Sequence, residues 1–233
     1  MHVLSPSALA RHARFFCTRQ TLACCLAVAS LLAGVQEAQA QTSIPHAARP
    51  VPAKVGSLSP DAQHMLAWVR HNGDNRGKPF VIVDKKQAWI RVYNGSGVLL
   101  GASPALLGLA IGDQDAPGAG LDVAKLPAHQ RITPAGRFAS EGGNNLQGED
   151  VIWFDYDAGL AIHRVRPGAS QAQRLRRLAS ASAVGKRVSL GCVVVPVAFY
   201  EAVVKPTLAG SAGVVYVLPE MQNLRGMLDA LEL

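Results

Sequence analysis

Three of the four cysteines, Cys17, Cys24 and Cys25, fall within the first 25 residues, and only Cys192 lies beyond them. No disulfide framework can staple the body of this chain, which must fold on a hydrophobic core of its own. The means are present. The 233 residues are 49% hydrophobic and 17% charged, enough for one domain with a sizeable interior and too apolar for a disordered chain.

The cysteine-rich start reads as a secretory leader. Arg11, Arg14 and Arg19 supply positive charge, Thr21 to Val35 is apolar, and Ala38-Gln39-Ala40 is a small-x-small cleavage site. The apolar run is short against the roughly 20 residues needed to span a bilayer, which favours a cleaved signal over residues 1–40 to an uncleaved anchor. Cys24 follows a small residue, as in a lipoprotein, but stands at the start of the run rather than after it. Cleavage leaves 193 residues, lowers the net charge from +7 to +5 and leaves one thiol. The expected destination is the periplasm or cell envelope, with no stable membrane insertion. Structural cysteines in an oxidising compartment come in pairs. An unpaired one is a reactive group or an inert core residue, and composition does not decide between them.

Residues 41–78 read as a Pro- and Ala-rich linker followed by a short helix. Ser59 is its N-cap, Pro60 its first residue, and Gly73 its stop. From Pro79 the hydrophobic period changes to that of strands. Phe80 to Val83, Ala88 to Tyr93 and Val98 to Ala102 form a meander joined by turns at Lys85-Lys86 and Asn94-Gly95-Ser96-Gly97. Residues 106–131 read as a long loop. Strands are expected at Val151 to Phe154, Leu160 to Val165, Val188 to Val195 and Val214 to Leu218. Helices are expected over 169–182, over 198–204 with a stop at Pro206, and over 219–231. The expected fold is mainly β, sandwich-like, with a few peripheral helices: a domain over 79–219 and a C-terminal helix within 220–233.

The chemistry centres on Ser189-Leu190-Gly191-Cys192. A Gly before a Cys permits a tight turn and close substrate approach, and it exposes amides that could hold an oxyanion. An unshifted thiol is only a few per cent thiolate at pH 7, so it needs a base or a positive field. Of the seven His, only His163 ends a strand-like run. It is a rigidly held base or a surface imidazole, and spacing alone does not choose. Between Arg164 and Arg187 stand seven cations (Arg164, Arg166, Arg174, Arg176, Arg177, Lys186 and Arg187) with no Asp or Glu among them. They are a field for thiol and carboxylate or a solvated face. Without interleaved aromatics they are no nucleic-acid groove. Metal-site spacings, a GxSxG elbow and a Gly-rich phosphate loop are absent, so no metal or cofactor is expected.

The β-meander, Thr133-Pro134-x-Gly136-x-Phe138, the strand-borne His163 and Ser189-x-Gly191-Cys192 together resemble the L,D-transpeptidase (YkuD-like) catalytic domain, over roughly residues 79–219. The resemblance implies an exported cysteine acyltransferase acting on peptidoglycan stem peptides as donor and acceptor, in cell-wall biogenesis. It implies Cys192 as nucleophile and His163 as proton acceptor and donor. Ser189 or its carbonyl would orient the imidazole, and the Gly191 and Cys192 amides would hold the oxyanion. The chain departs from the pattern. Leu190 stands where His is common, Val194 where Arg is common, and Arg164 where Gly is common. Arg164 or one of Arg174, Arg176 and Arg177 is expected to supply the missing charge to substrate. With water as acceptor the same acyl-enzyme gives an L,D-carboxypeptidase or cross-link hydrolase. A non-catalytic wall-peptide binder is the third alternative. Oligomeric state is not legible.

Overall fold

A computed structural model describes residues 56–114 and 125–232. The leader, most of the linker and part of the 106–131 loop lie outside the described residues.

Helix α1 (Pro60–Asn72) starts and stops where its caps dictate. The Ser59 hydroxyl accepts the Ala62 amide, and Gly73 closes the helix in the left-handed region, its own amide bonded to the Val69 carbonyl. Ser59 also donates to the Asp84 carboxylate at 2.5 Å. This ties the helix to the end of strand β1 (Phe80–Asp84).

β1 is buried along its whole length, because both of its faces are covered. Strands β2 (Trp89–Tyr93) and β3 (Leu99–Pro104) follow as an antiparallel meander. Next come β4 (Leu107–Gly108), β5 (Gly136–Asn144), β6 (Asp150–Asp155), β7 (Leu160–Arg164), β8 (Arg187–Ser189), β9 (Val193–Val195) and β10 (Gly213–Val217). Eight of them form one sheet in the order β3-β2-β1-β10-β5-β6-β7-β9, while β4 and β8 pair separately in parallel.

That sheet curls until its two halves share a core. Val81, Val83, Ile90 and Val92 from one half meet Ile152, Phe154, Ile162, Val193 and Val195 from the other in a single buried cluster. A bridge between Leu106 and Val194 brings the segment after β3 against β9. Each such side chain contributes about 1.5–3 kcal/mol by leaving water. The expected mainly β, sandwich-like fold with peripheral helices is what forms, although the two layers are halves of one curled sheet. The outer face of β1 and β10 is covered by α1 and by a C-terminal helix, through Met65, Val69, Leu224 and Leu228.

Three expectations need correction, and one strand, β5, was not expected. It is a nine-residue strand, and Gly142 is there for close approach: a side-chain carbon on it would lie 2.5 Å from the Ala209 carbonyl oxygen. The single strand expected over 188–195 is two, β8 and β9, broken at Leu190-Gly191-Cys192. Pro206 does not stop its helix. α3 (Val197–Phe199) widens into a π turn over Tyr200–Val204 and resumes as α4 (Lys205–Leu208), with Pro206, which has no amide to donate, just after the π turn where the ladder changes register. The last helix, α5 (Leu224–Leu231), begins five residues later than expected. The Asp113 carboxylate accepts the amides of Glu220, Met221 and Gln222 at 2.7–2.8 Å and holds them outside the helix. The remaining helix, α2 (Gln171–Ala179), carries the arginine run. Among the described residues no helix is long and apolar enough to cross a membrane.

Candidate active site

β7 and β9 run in parallel with Ile162 opposite Val193 and His163 opposite Val194. This register sets Cys192, just before β9, beside the start of β7. Successive strand residues point to opposite faces. His163 therefore looks into a cleft of about 470 Å³ that Cys192 also lines, while Arg164 looks the other way. Leu106, Val188, Leu190 and Val194 give the cleft an apolar floor, and Arg131, Arg166, Arg174, Asn145 and Trp153 stand among its walls.

The Cys192 loop is shaped by Gly191, at φ 137°. A side-chain carbon there would meet Leu160 Cδ2 at 2.7 Å and the Ile132 carbonyl oxygen at 2.8 Å, so glycine is required both sterically and conformationally. Ser189 clasps the loop. Its hydroxyl donates to the Cys192 carbonyl at 2.6 Å and accepts the Gly191 amide at 3.2 Å. This corrects two expectations. Ser189 does not orient the imidazole: its carbonyl accepts the Leu109 amide at 3.0 Å, and the His163 Nδ1 partner is the Arg164 carbonyl at 2.8 Å. The Gly191 amide, expected to hold an oxyanion, donates to Ser189 instead.

With Nδ1 donating to Arg164, the His163 ring presents Nε2 as a proton acceptor. Burial is the main cause that holds its pKa down to about 4, with the charges of Arg166 and Arg174 acting in the same direction and the Arg164 carbonyl against them. Burial pushes the Cys192 thiol up, opposed by the Ala161 backbone and by Arg166. The thiol lies 3.6 Å from the Gly159 carbonyl. The resting site thus pairs a neutral thiol with a neutral imidazole.

The seven cations between 164 and 187 scatter. Arg164 forms a two-point pair with Asp150 at 2.9 and 3.0 Å, reaches Glu201, and covers the Tyr200 ring. It is a structural cation on the far face, not the substrate contact expected of it. Arg177 donates to the Gly185 carbonyl and Lys186 to the Ser180 carbonyl. Arg176 is exposed and does not line the cleft. Arg187 pairs with Glu220 in the interior. Arg174 lines the cleft, joined by Arg166, 2.7 Å from Glu149. Arg166 was not among the expected substrate contacts: strand alternation would set it on the face of Arg164, but β7 ends at Arg164, so the alternation does not govern it. Among the described residues no cluster of three or more His, Cys, Asp or Glu could hold a metal ion.

No family model and no curated protein matches the chain. Among solved structures it is similar to an L,D-transpeptidase in complex with imipenem (16% identity, TM-score 0.38), over 60% of this chain and 58% of that one. It therefore spans less than two thirds of that protein's length. It is also similar to the catalytic domain of an L,D-transpeptidase from E. faecium (17%, TM-score 0.34), over 61% of this chain and 98% of that one. A third is the helical cell shape determining protein Pgp2 from Campylobacter jejuni (14%, TM-score 0.40), over 72% and 58%.

The His163 shift has a signed consequence. The unfolded imidazole titrates near 6.5 and the folded one near 4. Between these values the unfolded chain binds the extra proton, so stability is full above pH 6.5 and falls as pH drops toward 4, by roughly 3 kcal/mol for this group. Urea denaturation at pH 7 and pH 4, compared with His163→Gln, checks this. The variant should lose distinctly less stability across that window, and an identical loss would exclude the shift.

Proposed function

We propose that the chain is an exported cysteine acyltransferase that acts on peptidoglycan stem peptides as an L,D-transpeptidase. The observation that carries the reading is the meeting of Cys192 and His163 in one cleft, beside Arg166 and Arg174, on a chain whose sequence resembles that family. Cys192 Sγ attacks the carbonyl of the third stem residue as its proton passes to His163 Nε2. The Cys192 amide donates to the developing oxyanion. The carbon–nitrogen bond breaks, the proton on Nε2 goes to the departing amine of D-Ala, and a thioester remains. An amine from a neighbouring stem then attacks the thioester, and His163 takes and returns its proton in turn.

Arg166 and Arg174 suit the carboxylates of such a donor. They are also the two cations that help depress His163. A carboxylate seated between them cancels part of that field, so binding of the substrate makes His163 a stronger base when proton transfer is needed.

The test is incubation of residues 41–233 with tetrapeptide-bearing muropeptides, with and without an amine acceptor, read by mass spectrometry. Cross-linked product and release of D-Ala are expected. Tripeptide alone, even with the amine present, would reassign the protein as a hydrolase. Binding without turnover would make it a wall-peptide binder.

A further inference from the structure

Behind the nucleophile loop lies a chain of buried hydrogen bonds that the proposed reaction does not itself use. Thr133 is fully buried. Its hydroxyl donates to the Gly191 carbonyl at 2.7 Å and accepts the Gly108 amide at 2.9 Å. Its own carbonyl accepts from Lys85 Nζ at 2.9 Å. Lys85, also fully buried, directs its remaining donors to the Gly112 carbonyl at 2.5 Å and the Asp113 carboxylate at 2.8 Å. Three acceptors, none of which can donate, suit the three protons of an ammonium. Arg187, two residues before the clasp at Ser189, donates to the Lys85 carbonyl at 3.1 Å and to Glu220.

We infer that Thr133 and Lys85 are positioning residues that fix the Gly191–Cys192 peptide plane and so aim the Cys192 amide at the oxyanion. The peptide unit is planar and trans, so its C=O and N–H point in opposite directions. Holding the Gly191 carbonyl on Thr133 sets the direction of the Cys192 amide. That direction matters because the Gly191 amide is already spent on Ser189. Lys85 in turn fixes the Thr133 backbone. A buried ammonium with all its donors engaged is a more rigid anchor than a solvated loop. The inference rests on the reading that Cys192 is acylated, and the experiment separates the two.

Two reactions of Cys192 are compared in the folded protein. Acylation by 4-nitrophenyl acetate forms the Sγ–carbonyl bond, breaks the ester C–O bond and releases 4-nitrophenolate, with the thiol proton leaving through His163. It passes through an oxyanion. Alkylation by iodoacetamide displaces iodide at a saturated carbon and passes through none. In Thr133→Val, acylation should fall by roughly 10²-fold, while alkylation changes by less than about threefold. Thr133→Ser should restore acylation to within a few-fold. Lys85→Met should show the same split. If it does not fold, the Thr133 pair decides alone. Equal losses in both reactions, or undiminished acylation in Thr133→Val, would overturn the positioning role. A wild-type protein that 4-nitrophenyl acetate does not acylate would overturn the acyl-transfer reading and this inference with it.

Discussion

On the proposed acyl transfer, Cys192→Ala should lower turnover of stem peptides by at least ~10⁴-fold, as loss of a catalytic nucleophile does, and should leave the fold nearly intact. The thioester cannot form without Sγ, and nothing else among the cleft-lining residues replaces a thiol next to His163. The stability cost is small because only one heavy atom is lost. Its contacts are to the minor cluster of Leu106, Val165, Leu178 and Val194, worth about 1 kcal/mol. Mass spectrometry for the acyl adduct and thermal denaturation measure the two effects separately. Retained turnover would dismiss Cys192 as the nucleophile. A collapse in stability would show instead that the thiol is a packing group.

The parts of the molecule legible in the sequence are those governed by local rules. Ser59, Pro60 and Gly73 mark α1 because capping is local. Phe80–Val83 and Trp89–Tyr93 announce themselves because a strand buried on both faces must be apolar at nearly every position. His163 and Cys192 stood out because a strand-end imidazole and a Gly-Cys turn are local patterns too. What stayed hidden depends on partners far along the chain. The stretch from Arg164 to Arg187 contains no acid, yet Arg164 finds Asp150 and Glu201, Arg166 lies beside Glu149, and Arg187 finds Glu220. Its cationic field shrinks in the cleft to Arg166 and Arg174, with Arg131 arriving from another segment. The alternation along β7 was available beforehand. If His163 faces the cleft, Arg164 cannot, and the expectation for Arg164 overlooked this. β5 was not expected, and its Gly142 shows a different reason. A glycine needed for close approach is indistinguishable in sequence from one needed for a turn.

Lys85 illustrates the same limit at greater energetic cost. In sequence it belongs to a two-lysine turn. In the fold Lys86 stays half-exposed beside Asp61, while Lys85 is sealed with Asp113 and Glu220. Burial lowers the Lys85 pKa, against the hydrogen bond and charge of Asp113 and the charge of Glu220. Burial would raise Asp113, but Lys85 and the amides of Glu220 and Gln222 outweigh it and hold that carboxyl below its ordinary range. Asp113→Ala strands the ammonium and releases three backbone amides at once. Removing one partner of a buried pair costs about 3–5 kcal/mol, a large share of the roughly 5–15 kcal/mol that holds a typical domain together. The variant should therefore show a much lower urea midpoint at pH 7. Asp113→Asn keeps an acceptor for the amides but loses the charge, and should fall between the variant and wild type. Because the folded carboxyl is depressed, its stabilisation is present above the unfolded value near 3.9 and is lost as pH falls through the folded one. The gap between wild type and Asp113→Ala should narrow in strong acid. A gap below about 1 kcal/mol at pH 7 would mean that Lys85 is held without Asp113, and the anchor proposed for the Thr133 carbonyl would then need another source.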